Sequence, residues 1–499
     1  MNDKTLIRGS IKAAILIALL ILLCRFASGA MSIVIMALGC YWAMTYQTGK
    51  GLSCYALFAF MVCLNSYLLP KSGALGIVCR VAPVIMAAIF VLTNVAKRTQ
   101  DRMPFHTLLP YLFFMTISSA QGYCPKVSYL KLVNFLAFWV GIWIGTQGLS
   151  QSPKEAATLR NFLFGLTIVL VYGSIVSLAF PGISYALDDE ISRAMQEAGL
   201  EAAAQVYSYR KAERMGLFCG ITFQSQALGP LLVCAASWVM ADMLYVARRI
   251  SSFHMAILAP MPILIFMTRS RTALFSFLVA GIMLLLYAGK KIALPNEVKA
   301  KVWKTVQAVL ILAIIFGGVL ELSNHTFTRW LRKVDNVAAD DRELVQAVTE
   351  TRMGLIARTM NEFHYNPLMG CGFQVDNTTQ MFFGNSPGLV LSAPVEKGLL
   401  PVMVLGEGGI VGAFLFWGFI FAFCASCAKR RYTITLSLFV VFLATNIGEA
   451  TFFSPGGVGG IEWVYALGGG FLLDSILLQQ ARSYVHYFNT GRRGYIYVK

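Results

Sequence analysis

The chain has 499 residues, of which 57% are hydrophobic and only 13% charged, with a net charge of +17. A soluble domain carries about 25% charged residues, so this composition excludes a soluble globular protein and reads as a polytopic membrane protein. A nucleic-acid role is excluded too, because the basic residues are scattered over many short turns and form no stripe on a polar domain.

Windows of about 20 apolar residues mark membrane helices. In chain order they fall at 11–24, 30–46, 52–69, 74–96, 105–121, 130–149, 161–180, 226–247, 253–267, 272–289, 305–322, 398–427, 433–449 and 457–478. The predicted fold is an all-α transmembrane bundle of about 14 helices (12–14) with a large, partly helical outer loop. Placing both termini in the cytoplasm puts 23 basic residues on the inner turns and six in the short outer loops: Arg25, Lys71, Lys126, Lys131, Arg269 and Arg271. That bias follows the positive-inside rule. The eleven cysteines sit mostly in helices and read as small apolar residues. A disulfide among Cys124, Cys219 and Cys371 is the alternative.

Two outer loops exceed the length of simple connectors. One spans 181–218, with helix formers over 187–206 and a basic end at Arg210, Lys211 and Arg214. The other spans 323–397, and long loops are usually functional. Within it, Met353, Ile356, Met360 and Phe363 have helical spacing. His364-Tyr365-Asn366-Pro367 then breaks the helix before Gly370-Cys371-Gly372-Phe373.

The chemistry concentrates in the Thr268-Arg269-Ser270-Arg271 hairpin. Two guanidiniums at a membrane boundary need an anionic partner, and no acidic residue lies nearby in sequence. Arg214, Arg352, Arg358 and Lys397 carry further positive charge to the same face. Guanidinium forks grip phosphate oxygens in bidentate fashion, so a diphosphate-linked lipid suits such a cluster. Of the carboxylates, Glu396 lies beside Lys397, and Glu407 falls inside a predicted helix, where an ionisable group is functional by default. Glu449 and Glu462 flank the last outer hairpin. His364 reads as a supporting residue. No H-E-x-x-H and no P-loop occurs, so no metal site and no cofactor is expected.

Three patches resemble the O-antigen ligase / O-antigen polymerase superfamily. The first is Arg214-Met215-Gly216-Leu217-Phe218 with Leu228-Gly229, and the second is Ser270-Arg271-Thr272-Ala273. The third joins Arg352, Asn366-Pro367-Leu368-Met369-Gly370-Cys371-Gly372-Phe373 and Glu407-Gly408-Gly409-Ile410-Val411-Gly412. The resemblance covers roughly residues 205–425 and sets the expected domains: 1–204, a ligase-like core 205–427, and 428–499. It implies a GT-C-like, metal-independent, inverting glycosyltransferase of the bacterial inner membrane. Its partners would be an undecaprenyl-diphosphate-linked oligosaccharide, an acceptor glycan or glycolipid, the bilayer and other polysaccharide-assembly proteins. The implied donor-binding residues are Arg214, Arg269, Arg271, Arg352 and Arg358. Glu396, Lys397 and Arg271 are the implied catalytic residues, with Glu407 and His364 in support. Lys397 stands where ligases of this superfamily carry a histidine, which favours a polymerase or a ligase for another exopolysaccharide. A transporter of lipid-linked intermediates is the alternative reading.

Overall fold

The computed structural model describes residues 3–26, 48–64, 104–149, 152–180, 218–222, 225–292, 296–301, 344–377 and 399–489, with a few isolated positions besides. Among them the chain is helical, with no strand. The order is α1 (Asp3–Phe26), α2 (Thr48–Leu64), α3 (Leu109–Gln121), α4 (Pro125–Leu149), α5 (Pro153–Ala179), α6 (Ser225–Ala241), α7 (Ser252–Leu258), α8 (Met261–Met267), α9 (Arg271–Gly281), α10 (Leu344–Tyr365), α11 (Leu400–Lys429), α12 (Thr433–Gly448), α13 (Val458–Trp463) and α14 (Gly470–Asn489). π-helical stretches prolong α6 through Val246, prolong α9 through Ala288 and join α13 to α14.

Seven described spans are long and apolar enough to cross a membrane: Lys4–Leu23, Pro125–Leu149, Pro153–Ala179, Gln226–Val246, Arg271–Lys291, Leu400–Lys429 and Val458–Gln480. Each overlaps a predicted segment. Ser252–Met267 and Thr433–Gly448 are shorter apolar helices. The predicted helices 30–46 and 305–322, nearly all of 74–96, and the loop helix 187–206 lie outside the described residues.

The burial pattern fits a lipid solvent. Phe414 and Phe421, seven residues apart on one face of α11, are exposed, as are Leu278 and Leu286 on the α9 span. The Gln226–Val246 span is 94% buried and forms the centre of the bundle. Lipid tails give helices no hydrophobic reason to associate, so packing depends on close approach. Small residues supply it where α1 crosses α5. Gly9 lies against Asn161, and Gly165 against Ala13 and the backbone of Ala14.

Helix ends buried in such a medium must be satisfied internally. Two acids do this across the bundle, and a third, Asp242, holds a buried cation. Glu155 on α5 accepts the Gly49 N–H at the start of α2 (2.9 Å). Asp474 on α14 accepts the Ile434 and Thr435 N–H groups at the start of α12 (3.1 and 2.8 Å). Asp242, just past the end of α6, takes both forks of Arg160 from α5 (2.7 and 2.7 Å). His254 Nε2 of α7 lies 3.0 Å from the same carboxylate, and Ser251 Oγ lies 2.6 Å from His254 Nδ1. The topology count therefore needs two corrections. Arg160 is a buried ion-pair partner, not a loop charge. Lys131 lies within α4, buried, and not in an outer loop.

Helix α11 is broken. The continuous apolar run 398–427 predicts one helix, but Gly409 adopts φ 62°, ψ −163°. That region is essentially closed to residues with a Cβ, at a cost on the order of 1–3 kcal/mol. The segment from Pro367 to Phe373 fills the break. Ile410 N donates to Pro367 O (2.8 Å), Cys371 N to Gly406 O (2.9 Å) and Gly372 N to Glu407 O (3.1 Å). Ser118 Oγ of α3 lies 2.6 Å from Met369 O and 3.1 Å from Glu407 O, touching both sides of the joint.

Two stability predictions follow from these buried contacts. Gly409→Ala forces a Cβ into the Leu368 carbonyl as well as a strained backbone. It is expected to lower the thermal midpoint of detergent-purified protein sharply, while Gly418→Ala, at an open helical position, leaves it unchanged. Asp242→Asn strands Arg160 in the interior and is expected to destabilise by roughly 3–5 kcal/mol, read as loss of monodisperse protein on size exclusion.

Candidate functional site

The arginine hairpin is built by its own hydroxyls. Thr268 Oγ donates to Ile265 O (2.7 Å) and accepts from Ser270 N (3.3 Å). Ser270 Oγ accepts from Ala273 N (3.2 Å), making Ser270 the N-cap of α9. Between them Arg269 takes a left-handed backbone, φ 51°. Both hydroxyl residues are buried, and Arg269 and Arg271 are half-buried. The guanidiniums thus stand at the positive end of a helix dipole, a natural place for an anion.

Glycines clamp this hairpin. A Cβ on Gly229 of α6 would lie 2.9 Å from Ala273 Cβ, 3.0 Å from Ser270 Cβ and 3.1 Å from Thr268 Oγ. The Leu228-Gly229 and Ser270-to-Ala273 patches of the sequence are therefore in contact. On the other side, a Cβ on Gly448 at the end of α12 would lie 3.0 Å from Thr272 Cβ.

The interlocked break in α11 lies at the same end of the bundle. The loop after Gly448 links the two. Phe453 stacks on Tyr111 (centroids 5.4 Å) and meets Phe373 (5.3 Å) and Phe416 (5.6 Å). Phe452 meets Phe416 (5.4 Å) and stacks on Phe442 (5.1 Å). Aromatic contacts of this kind are worth about 0.5–1.5 kcal/mol each beyond the area they bury, so the loop is a rigid strut between hairpin and break.

The remaining predicted site residues divide. Glu407 is fully buried at the break. Its backbone carbonyl is part of the joint, so the residue belongs to the scaffold of the site. Arg358 on α10 is ion-paired with Asp376 and donates to Asn377 Oδ1 (3.3 Å). Asp376 is held in turn by Thr379 (2.7 Å), so Arg358 ties α10 to the segment after Phe373. His364 is exposed, with Nδ1 2.7 Å from Met360 O. Arg352 lies on α10, in a stretch whose side chains are not described. Arg214, Glu396 and Lys397 lie outside the described residues.

Three residues at this end escaped the sequence reading. Lys131 donates from Nζ to Gln374 O (3.0 Å). Glu362 is buried 3.7 Å from the Cys371 thiol. Ser118 joins the two sides of the break. Each lies in an apolar or amphipathic helix with no motif around it, and only the α4 sequence Lys126–Lys131 offered a hint. Cys124, Cys219 and Cys371 are free thiols. Among the described residues no group of three His, Cys, Asp or Glu side chains converges as metal ligands.

These pieces agree with what a comparison with known families finds. Residues 255–417 match the O-antigen ligase family, a stretch that begins in α7 and contains the arginine hairpin, α10, the Pro367–Phe373 segment and the break in α11. No curated protein matches the chain. The chain has seven described helices long and apolar enough to cross a membrane, and over 255–417 it is similar to the O-antigen ligase family, which supports its resemblance to the O-antigen ligase / O-antigen polymerase superfamily.

Proposed function

We propose that the protein transfers a glycan from undecaprenyl diphosphate to an acceptor sugar at the outer face of the bacterial inner membrane. The observation that carries this reading is the Arg269–Arg271 hairpin on the capped N-terminus of α9. Two half-buried guanidiniums and a helix dipole converge there at the edge of an apolar bundle. A polyprenyl diphosphate matches both features, with its anionic head at the arginines and its tail between helices or in lipid.

In this reading the acceptor hydroxyl attacks the anomeric carbon of the donor glycan. The bond from that carbon to the diphosphate oxygen breaks, and the new glycosidic bond forms with inversion. Charge grows on the leaving diphosphate, so cations placed there stabilise the transition state more than the ground state. Arg271 and Arg269 do this work, with Arg214, Arg352 and Arg358 as further diphosphate contacts. Pairing with Asp376 makes Arg358 chiefly an anchor of the loop. Glu396 takes the proton from the acceptor hydroxyl, and Lys397 beside it adds a phosphate contact. Glu407 and His364 support the loop around them. The chemistry uses no metal and no nucleotide sugar. About fourteen helices in a GT-C-like arrangement, with both termini cytoplasmic and a ligase-like core over 205–427, complete the reading.

Arg271→Ala is expected to lower polymer formation on the order of 100- to 1000-fold, measured as high-mass polysaccharide in cells whose membranes contain normal amounts of the protein. Full polymer at normal protein levels would contradict the assignment. Gly229→Val pushes a side chain into Ser270 and Ala273 and so displaces the hairpin. It is expected to cost most of the activity, while Gly281→Ala, facing open space on the same α9 helix, retains it.

A further inference from the structure

The two arginines have no acidic neighbour in sequence, but the fold brings one. Helix α12 ends at Gly448, whose Cα packs on Thr272 in the first turn of α9. Glu449 follows at once. Its backbone is extended (φ −134°, ψ 105°), its carbonyl accepts the Thr451 N–H (2.8 Å), and its side chain is half-buried. The contact at Gly448 therefore delivers a carboxylate beside the start of the helix that Arg271 opens.

Helix electrostatics makes this placement informative. A carboxylate at a helix C-terminus faces the negative end of that helix, where it is disfavoured. Glu449 holds that position on α12. What offsets it is the neighbouring positive end of α9 and the guanidiniums there. Behind it stands a second acid, Glu462, fully buried, accepting from Thr451 Oγ (3.2 Å) and within electrostatic reach of Glu449.

We propose that Glu449 is a positioning residue for the anion site, its carboxylate orienting the Arg271 guanidinium toward the donor diphosphate. This rests on the reading of that hairpin as the diphosphate site. A guanidinium has five N–H donors, enough to serve one carboxylate and one phosphate together. Fixing it in advance removes the conformational cost of fixing it at each binding event. Glu449 touches no reacting atom in this account and acts through Arg271.

Binding of undecaprenyl diphosphate to the purified full-length protein in nanodiscs tests this, with size exclusion as the control for folding. Wild type is expected to bind, Arg271→Ala to bind much more weakly but still measurably, and Glu449→Gln to weaken binding roughly tenfold, as loss of a supporting partner typically does. Glu449→Asp keeps the charge and is expected to retain more binding than the amide. In the double variant, Glu449→Gln adds nothing to Arg271→Ala. A merely structural role for Glu449 would weaken both backgrounds by the same factor, and that result overturns the proposal. So does wild-type binding by Glu449→Gln. If the amide variant fails to accumulate, Glu449→Ala takes its place and is read against the same outcomes. Wild-type binding by Arg271→Ala would instead remove the diphosphate reading beneath it.

Discussion

The arrangement at this end of the bundle depends on one constraint: a broken helix in an apolar medium must find partners for the backbone groups it exposes. Gly406, Glu407, Gly408 and Gly409 open α11 in the buried interior. The Pro367–Phe373 segment supplies donors to Gly406 and Glu407 and acceptors for Ile410 and Val411. Because the partners are backbone atoms, the joint needs glycine on both sides. Gly370 at φ 72° fits against the Glu407 carbonyl, and Gly409 against that of Leu368. Gly122, at the end of α3, leaves room for the Cys371 carbonyl in the same way. The joint fixes where α10 ends and where the long outer loop returns, so it fixes the floor on which any substrate would rest.

The arginine hairpin is held by a different device. Its geometry comes from short hydroxyl tethers and from two glycines, Gly229 and Gly448, that let α6 and α12 close on α9. Arg269 and Arg271 flank the N-cap Ser270 and are half-buried there. The Phe452–Phe453 strut then couples the hairpin to the break through Tyr111, Phe373 and Phe416. At the opposite end of α6, roughly 20 Å away by helix rise, the Arg160–Asp242–His254 network ties α5, α6 and α7. One end is thus locked by paired charges, and the other presents cations at a helix start.

Much of this was legible in the sequence. The helix start at Ser270-Arg271-Thr272-Ala273 was marked by the apolar run 272–289 that follows it, a local signal that tertiary contacts need not supply. Asn366-Pro367 announced the end of α10 for the same reason. The break in α11 was not legible: 398–427 is uninterrupted in hydropathy, and glycines are common in membrane helices. What sets Gly409 apart is its partner, about forty residues earlier in the chain. The same holds for Arg160, whose counter-charge is 82 residues away, and for Gly448, whose packing on Thr272 joins α12 to α9 across the fold. Charge counting along the chain treats each basic residue as a loop marker, and it misplaces those that the fold buries.

The central claim is that cations at a helix start serve group transfer and not passage of lipid-linked sugar. Proteoliposomes loaded with undecaprenyl-diphosphate oligosaccharide and acceptor glycan, followed by mass spectrometry, test it most directly. The account predicts one undecaprenyl diphosphate released for each new glycosidic bond, with inversion at the transferred anomeric carbon. Movement of the intact donor between leaflets with no new glycosidic bond would contradict it.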